Sequence, residues 1–168
     1  ELTNFIWDVN PISDRLMYIT LGYAIPISFI CTYLPTAPAH QDRKQECYKK
    51  LQQTQIALQK KGPTYTAGDF NARVQIKQSG EDCVGKFTFD RKNLTLENQD
   101  DGVTENRNLF IAHCNTTQNV ACNTFFQKPN QPQTHHKQRI RNNPRSRTQG
   151  AADTKQLITF SHKIDGKN

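Results

Sequence analysis

The chain has 168 residues, 35% of them hydrophobic, with a mean hydropathy of −0.79 and a formal net charge of +7. That length suits one domain with a core of two or three layers, and the low apolar content predicts that part of the chain packs poorly. No membrane partner is expected: the longest apolar run, residues 24–34, is too short to span a bilayer and is broken by Pro26, Ser28 and Thr32. The positive charge is concentrated. Residues 127–152 contain no acid, and Lys128, Lys137, Arg139, Arg141, Arg145 and Arg147 all lie there. The five cysteines form no CxxC pair and have no metal-ligand spacing, and their odd number and scatter favour reduced thiols inside the cell over a disulfide framework.

In chain order, residues 1–10 carry Phe5, Ile6 and Trp7 with no cap or turn ahead of them, and read as the middle of an element. Residues 16–21 alternate, with Met17, Ile19 and Leu21 on one face. After a Gly22-Tyr23 turn, residues 24–33 set Ile25, Ile27, Phe29, Cys31 and Tyr33 on one side. This predicts a β-hairpin feeding a long, largely buried second strand, with Pro26 near its start or at an edge. A helix is predicted over residues 41–61, with Cys47, Tyr48, Leu51, Gln55 and Leu58 inside a roughly 100° arc. Lys60 and Lys61 suit its C-terminus, Gly62 is placed as a left-handed cap, and Pro63 prevents continuation. Residues 64–67 then form a short β-prone strand that stops at a polar tip, Asp69-Phe70-Asn71.

Strand, helix, strand in that order predicts a parallel pair within an α/β sheet. Tyr33 and Asp69 then reach the same sheet edge, where sites of α/β proteins usually lie. Beyond Asn71, residues 75–102 are expected to be loop with one short strand near residues 86–89. Residues 105–114 read as a helix offering Leu109, Phe110, Ile111 and Cys114 to the core, and residues 120–126 as a strand. Residues 127–150 show no periodicity, and residues 157–160 suit a short strand.

Gly68-Asp69-Phe70-Asn71 admits two interpretations. An acid and an amide on one side of an extended chain can hold a divalent cation or orient a phosphate. The same residues also suit a strand closed by an Asx turn. Tyr33 is either part of that site or a strand-end aromatic, and Arg73 either contacts a phosphate or is solvated. His135-His136 is a poor metal pair, because adjacent side chains diverge in an extended chain. The basic run can follow nucleic-acid phosphates or be a disordered tail.

Five short motifs recur in one order: Thr32-Tyr33-Leu34-Pro35, Gly68-Asp69-Phe70-Asn71-Ala72-Arg73-Val74, Gly85-Lys86, Glu105-Asn106-Arg107-Asn108-Leu109 and Asn123-Thr124-Phe125-Phe126-Gln127. In order and spacing over about residues 15–127, the chain resembles the endonuclease/exonuclease/phosphatase superfamily. The likeness is to the endonuclease domains of non-LTR retrotransposons and to the craniofacial-development-protein-like sequences derived from them. The resemblance implies a partial four-layer α/β/β/α sandwich over residues 1–126, followed by a basic, poorly ordered or degenerate segment over residues 127–168. It also implies cleavage of DNA phosphodiester bonds with Mg²⁺ (or Mn²⁺) in the nucleus, in a full-length protein that carries a reverse transcriptase domain. On it, Tyr33 lies beside the scissile phosphate, Asp69 orients and deprotonates the attacking water, and Asn71 holds a phosphate oxygen or the metal. Asp69 and Asn71 thus double as metal ligands, and Arg73 and Asn123 bind substrate.

The departures are informative. The family's first-strand asparagine and the metal-binding glutamate after it have no counterpart. Its Gln-Ile-Asp-Tyr motif falls on Gln156-Leu157-Ile158-Thr159, with Ile158 in the aspartate's place, and Ser161-His162 lacks the family's intervening aspartate. The chain therefore reads as an internal fragment. Two function classes are expected of it: an incomplete metal-dependent endonuclease domain, or a non-catalytic remnant that binds nucleic acid through its basic segment. A phosphatase acting on lipid or nucleotide substrates is a further possibility within the superfamily.

Overall fold

The alternation of residues 16–33 is realised as two strands of one mixed sheet in a computed structural model, which describes residues 2–22, 24–74, 77–88, 101–126 and 156–161. The strands are β1 (Ile6–Ser13), β2 (Leu16–Leu21), β3 (Ile27–Tyr33), β4 (Thr64–Asp69), β5 (Val120–Ala121) and β6 (Gln156–Ser161). The helices are α1 (Gln41–Gln59) and α2 (Asp101–Thr117). Strand order is β1-β2-β3-β4-β6-β5. β1, β2 and β3 form an antiparallel meander, β3 and β4 are parallel across α1, and β6 runs antiparallel to both β4 and β5. This is an α/β fold. Among the described residues no helix is long and apolar enough to cross a membrane.

Burial in β3 is one-sided: Ser28, Ile30 and Thr32 are buried, while Phe29, Cys31 and Tyr33 are exposed. The buried side faces a core of Tyr48, Leu51 and Leu58 from α1, Phe110, Ile111 and Cys114 from α2, and Phe70 and Ala72 just past β4. Full burial of each large apolar side chain contributes roughly 1.5–3 kcal/mol. The two helices lie side by side and parallel. Lys44 near the start of α1 reaches Glu105 near the start of α2 (Nζ–Oε2 2.6 Å), and Gln59 at the end of α1 donates to Thr117 O at the end of α2 (2.9 Å).

Several expectations are corrected. Of the first ten residues, Leu2–Phe5 form a 3₁₀ turn and residues 6–10 most of β1, an edge strand that accommodates Pro11. β3 begins at Ile27 rather than at residue 24, and only one of its faces is buried. Gly62 is not a left-handed cap: α1 closes with Lys60 still right-handed, and Gly62 has no positive φ. A side chain there would meet Pro26 O at 2.0 Å, so Gly62 serves the close approach of the β3 and β4 entries. In the α1 stripe Cys47 is only half-buried, whereas Lys44 is fully buried on its ion pair with Glu105.

The strand expected over residues 120–126 lasts two residues and becomes a 3₁₀ turn, Cys122–Thr124. The Thr124 hydroxyl bonds Ala121 O and accepts the Gly85 N–H (both 2.7 Å), which draws the chain off the ladder. Residues 86–88 form no strand, although the Phe87 N–H donates to Thr124 O (2.9 Å). The basic run of residues 127–152, with His135-His136, and also His162, lie outside the described residues.

His113 on α2 is 3% exposed, and neither ring nitrogen has a hydrogen-bond partner among the described residues. Burial pushes its pKa down to about 4. The folded state therefore holds the neutral ring, while the unfolded chain protonates below its ordinary pKa near 6.5. Stability should be full above pH 6.5 and fall as pH drops toward 4, by about 3 kcal/mol in total. Urea unfolding across that range should show the slope in the natural chain and lose most of it in His113→Phe.

Candidate functional site

The site is built where the parallel pair ends. Tyr33 and Asp69 are the last residues of β3 and β4 and are Cα partners in the register, so their side chains share one face of the sheet. That face is the open one: Tyr33 is 52% exposed and Asp69 half-buried. The Leu34 N–H donates to Asp69 O (2.8 Å), carrying the ladder one residue past the strands. On the other side the Tyr33 N–H donates to Arg15 O (2.9 Å).

Asn71 does not continue the extended chain. Its φ is 48°, a left-handed conformation that asparagine tolerates better than most residues. Its backbone N–H donates to Asp69 Oδ1 (2.9 Å), which is an Asx turn, and its side-chain Nδ2 donates to Leu34 O (2.7 Å). Turn and site are therefore compatible: the turn fixes one carboxylate oxygen at the edge and anchors the amide to the loop after Tyr33. Between these residues Phe70 points into the core against Phe110 (centroids 5.2 Å, edge-to-face), and Ala72 is buried below it.

Two supporting residues were not foreseen in the sequence. Asn106 on α2 donates to both Pro35 O and Asn71 O (3.0 Å each), joining the two loops that carry the edge. Arg15 donates to Tyr33 O (3.3 Å) and sets its guanidinium 5.2 Å from the centre of the Tyr33 ring, a cation–π contact that fixes a positive charge beside the tyrosine. Topology held the clue to Arg15. β2 is antiparallel to β3, with Leu16 opposite Thr32, so the turn residues just before β2 stand at the edge where β3 ends.

The other candidates are less central. Arg73 is half-buried two residues past Asn71. Asn123 lies in the 3₁₀ turn after β5; β5 runs in the direction of β4 with β6 between them, so Asn123 is carried toward the same end of the sheet. Gln156 of β6 is the register partner of Asp69, and Ile158 pairs with Ala67.

As a donor set the edge offers the Asp69 carboxylate and the Asn71 amide oxygen. Both are hard oxygen ligands of the kind Mg²⁺ or Mn²⁺ takes. Among the described residues no group of three His, Cys, Asp or Glu comes together. The residues fit such a cation by type, and phosphate oxygens or water would have to complete an octahedral shell. No protein-family model matches the chain, and no curated protein matches it with significance.

Proposed function

We propose that the Tyr33–Asp69 edge belongs to a metal-dependent phosphodiesterase of the endonuclease/exonuclease/phosphatase kind, a DNA endonuclease domain present in part. The observation that carries this proposal is the register pairing of Tyr33 with Asp69 on the open face, with Asn71 locked beside them. Asp69 would orient and take a proton from water, Asn71 and Mg²⁺ (or Mn²⁺) would hold phosphate oxygens, and Tyr33 with Arg15 would face the phosphate's charge. The open face supports the finer architecture. It lines Ile6 and Val9 of β1 up with Leu21 and Ile19 of β2 and with Ile27 and Phe29 of β3, an apolar surface that suits a further packed layer. A second sheet packed there, with its own helices outside, would complete the α/β/β/α sandwich and place the edge in the cleft between sheets. A nuclear protein that also carries a reverse transcriptase domain is the setting this activity suits.

The second reading, a non-catalytic remnant binding DNA through its basic segment, draws on the six cationic residues between 127 and 152. Binding of a short DNA duplex with Mg²⁺ present separates the two. The edge reading expects affinity to fall on removal of Mg²⁺ and in both Tyr33→Ala and Asp69→Ala. Affinity indifferent to all three, with a log–log salt slope on the order of −4 for four phosphate contacts, would leave only the basic segment. Nicking of supercoiled plasmid by this chain should stay near background. One carboxylate holds Mg²⁺ weakly, and each absent orienting or electrostatic group costs roughly 10²–10⁴ in rate.

A further inference from the structure

The strand order leaves β1 at one edge of the sheet and β5 at the other, and the two edges differ. β5 is two residues long, and Val84 bridges Ala121 on its outer side. β1 is eight residues long, and no described strand pairs with its outer side. Such an edge is ordinarily blunted by lysine or another charge. Here residues 2–13 contain no Lys or Arg, and their single acid, Asp8, accepts the Tyr18 hydroxyl (2.8 Å). Phe5, Ile6, Trp7, Val9 and Ile12 are all exposed, so the edge is apolar along its length. Trp7 is 66% exposed and yet held in place, because its indole packs directly on Gly22, where a Cβ would stand 1.6 Å away. A fixed, exposed aromatic of this kind is what anchors protein–protein contacts.

We propose that β1 is a dimerisation edge whose occupant is β1 of a second copy of this chain, paired antiparallel about a two-fold axis at Val9. Pro11 sets that register. A proline fits an edge strand where its missing N–H faces outward, so Pro11, and Val9 two residues before it, turn their backbone groups to the open side. A two-fold at Val9 lets the two Val9 residues exchange N–H and C=O bonds, and it sets Asp8 opposite Asn10 of the second copy. Each carboxylate then meets a neutral amide donor rather than its own like charge. The irregularities in the β1 register, between Ile6 and Asp8 and between Pro11 and Ser13, confine the pairing to this short stretch. A second copy is favoured over another extended segment because it supplies the Asp8–Asn10 match on both sides of the axis and an equally apolar strand. An isologous contact also closes at two copies. The two six-stranded sheets would run on as one, with both open faces on one side and the two Tyr33–Asp69 ends pointing in opposite directions. The contact stands whether or not those ends bind DNA.

The test is sedimentation of the full chain from micromolar to near-millimolar concentration, joined to hydrogen exchange at both extremes. The mass should rise from 19.3 kDa toward twice that value and stop there. When nine-tenths of the chain is dimeric, the Val9 amide should exchange about tenfold more slowly than in the monomer. Val9→Lys sets two cations opposite each other and should stay monomeric throughout; exchange in the unsubstituted chain decides the matter if that variant folds poorly. A chain that is monomeric at every concentration would overturn the proposal. So would a mass that grows beyond two copies, association that survives in a folded Val9→Lys, or a dimer whose Val9 amide exchanges as fast as the monomer's.

Discussion

Arg107→Ala and Glu81→Ala are each expected to cost about 3–5 kcal/mol of unfolding free energy, a large part of what a domain of this size has. The guanidinium meets both carboxylate oxygens in parallel, at 2.7 Å, and both residues are buried. Removing one partner leaves the other's charge in a dry interior, which is far costlier than the pair is worth. The double substitution Arg107→Met with Glu81→Leu should therefore be much milder than either single one. Burial pushes the Glu81 carboxyl up, but the bonds from Arg107, the Gln78 N–H and the guanidinium charge outweigh it, and its pKa ends below the usual 4.5. The carboxylate is thus favoured in the folded state. Its contribution is present above about pH 4.5 and is lost as pH falls further, below most of the His113 window. Urea midpoints of the two single variants and the double one, at pH 7 and at pH 3.5, check both parts. Single losses no larger than the double would contradict the account.

Gly68→Ala is expected to be the most damaging small substitution at the candidate site, costing on the order of 3 kcal/mol. Gly68 has φ of +149°, and an added Cβ would stand 1.8 Å from Thr32 O. The obstacle is backbone of the neighbouring strand, so β3 and β4 must part next to the Tyr33–Asp69 pair. The thermal midpoint should fall, and the Leu34 amide, which donates to Asp69 O, should lose protection from hydrogen exchange. An unchanged midpoint with Leu34 still protected would mean that the two strands do not approach this closely.

What the sequence revealed follows from what periodicity encodes. Alternation in residues 16–33, the apolar stripe of α1 and the Gly62-Pro63 break were enough to derive β3–α1–β4, and with it the meeting of Tyr33 and Asp69. Alternation says which residues share a face but not whether that face is covered, so it does not distinguish the exposed side of β3 from a buried one. Charged residues are scored as solvent-facing in such patterns. Lys44 and Arg107 are buried only because their partners lie 61 and 26 residues away, a distance no local window sees. The left-handed turn of Asn71 is partly local, through the Asx-turn bond to Asp69 that the motif allows, but its anchoring to Leu34 and the hold of Asn106 come from residues far along the chain. Thr124 ended β5 early through a bond to Gly85, again a distant residue.

The central claim is that the end of β3 and β4 is a cation and phosphate site centred on Asp69. Paramagnetic broadening of backbone amide signals by Mn²⁺, in the presence of a short DNA duplex, tests it most directly. Broadening should centre on Asp69 to Ala72 and reach Leu34, leave the far ends of α1 and β4 near Gln59 and Thr64 sharp, and disappear in Asp69→Asn. Broadening that spares this edge, or that persists unchanged in Asp69→Asn, would contradict the claim.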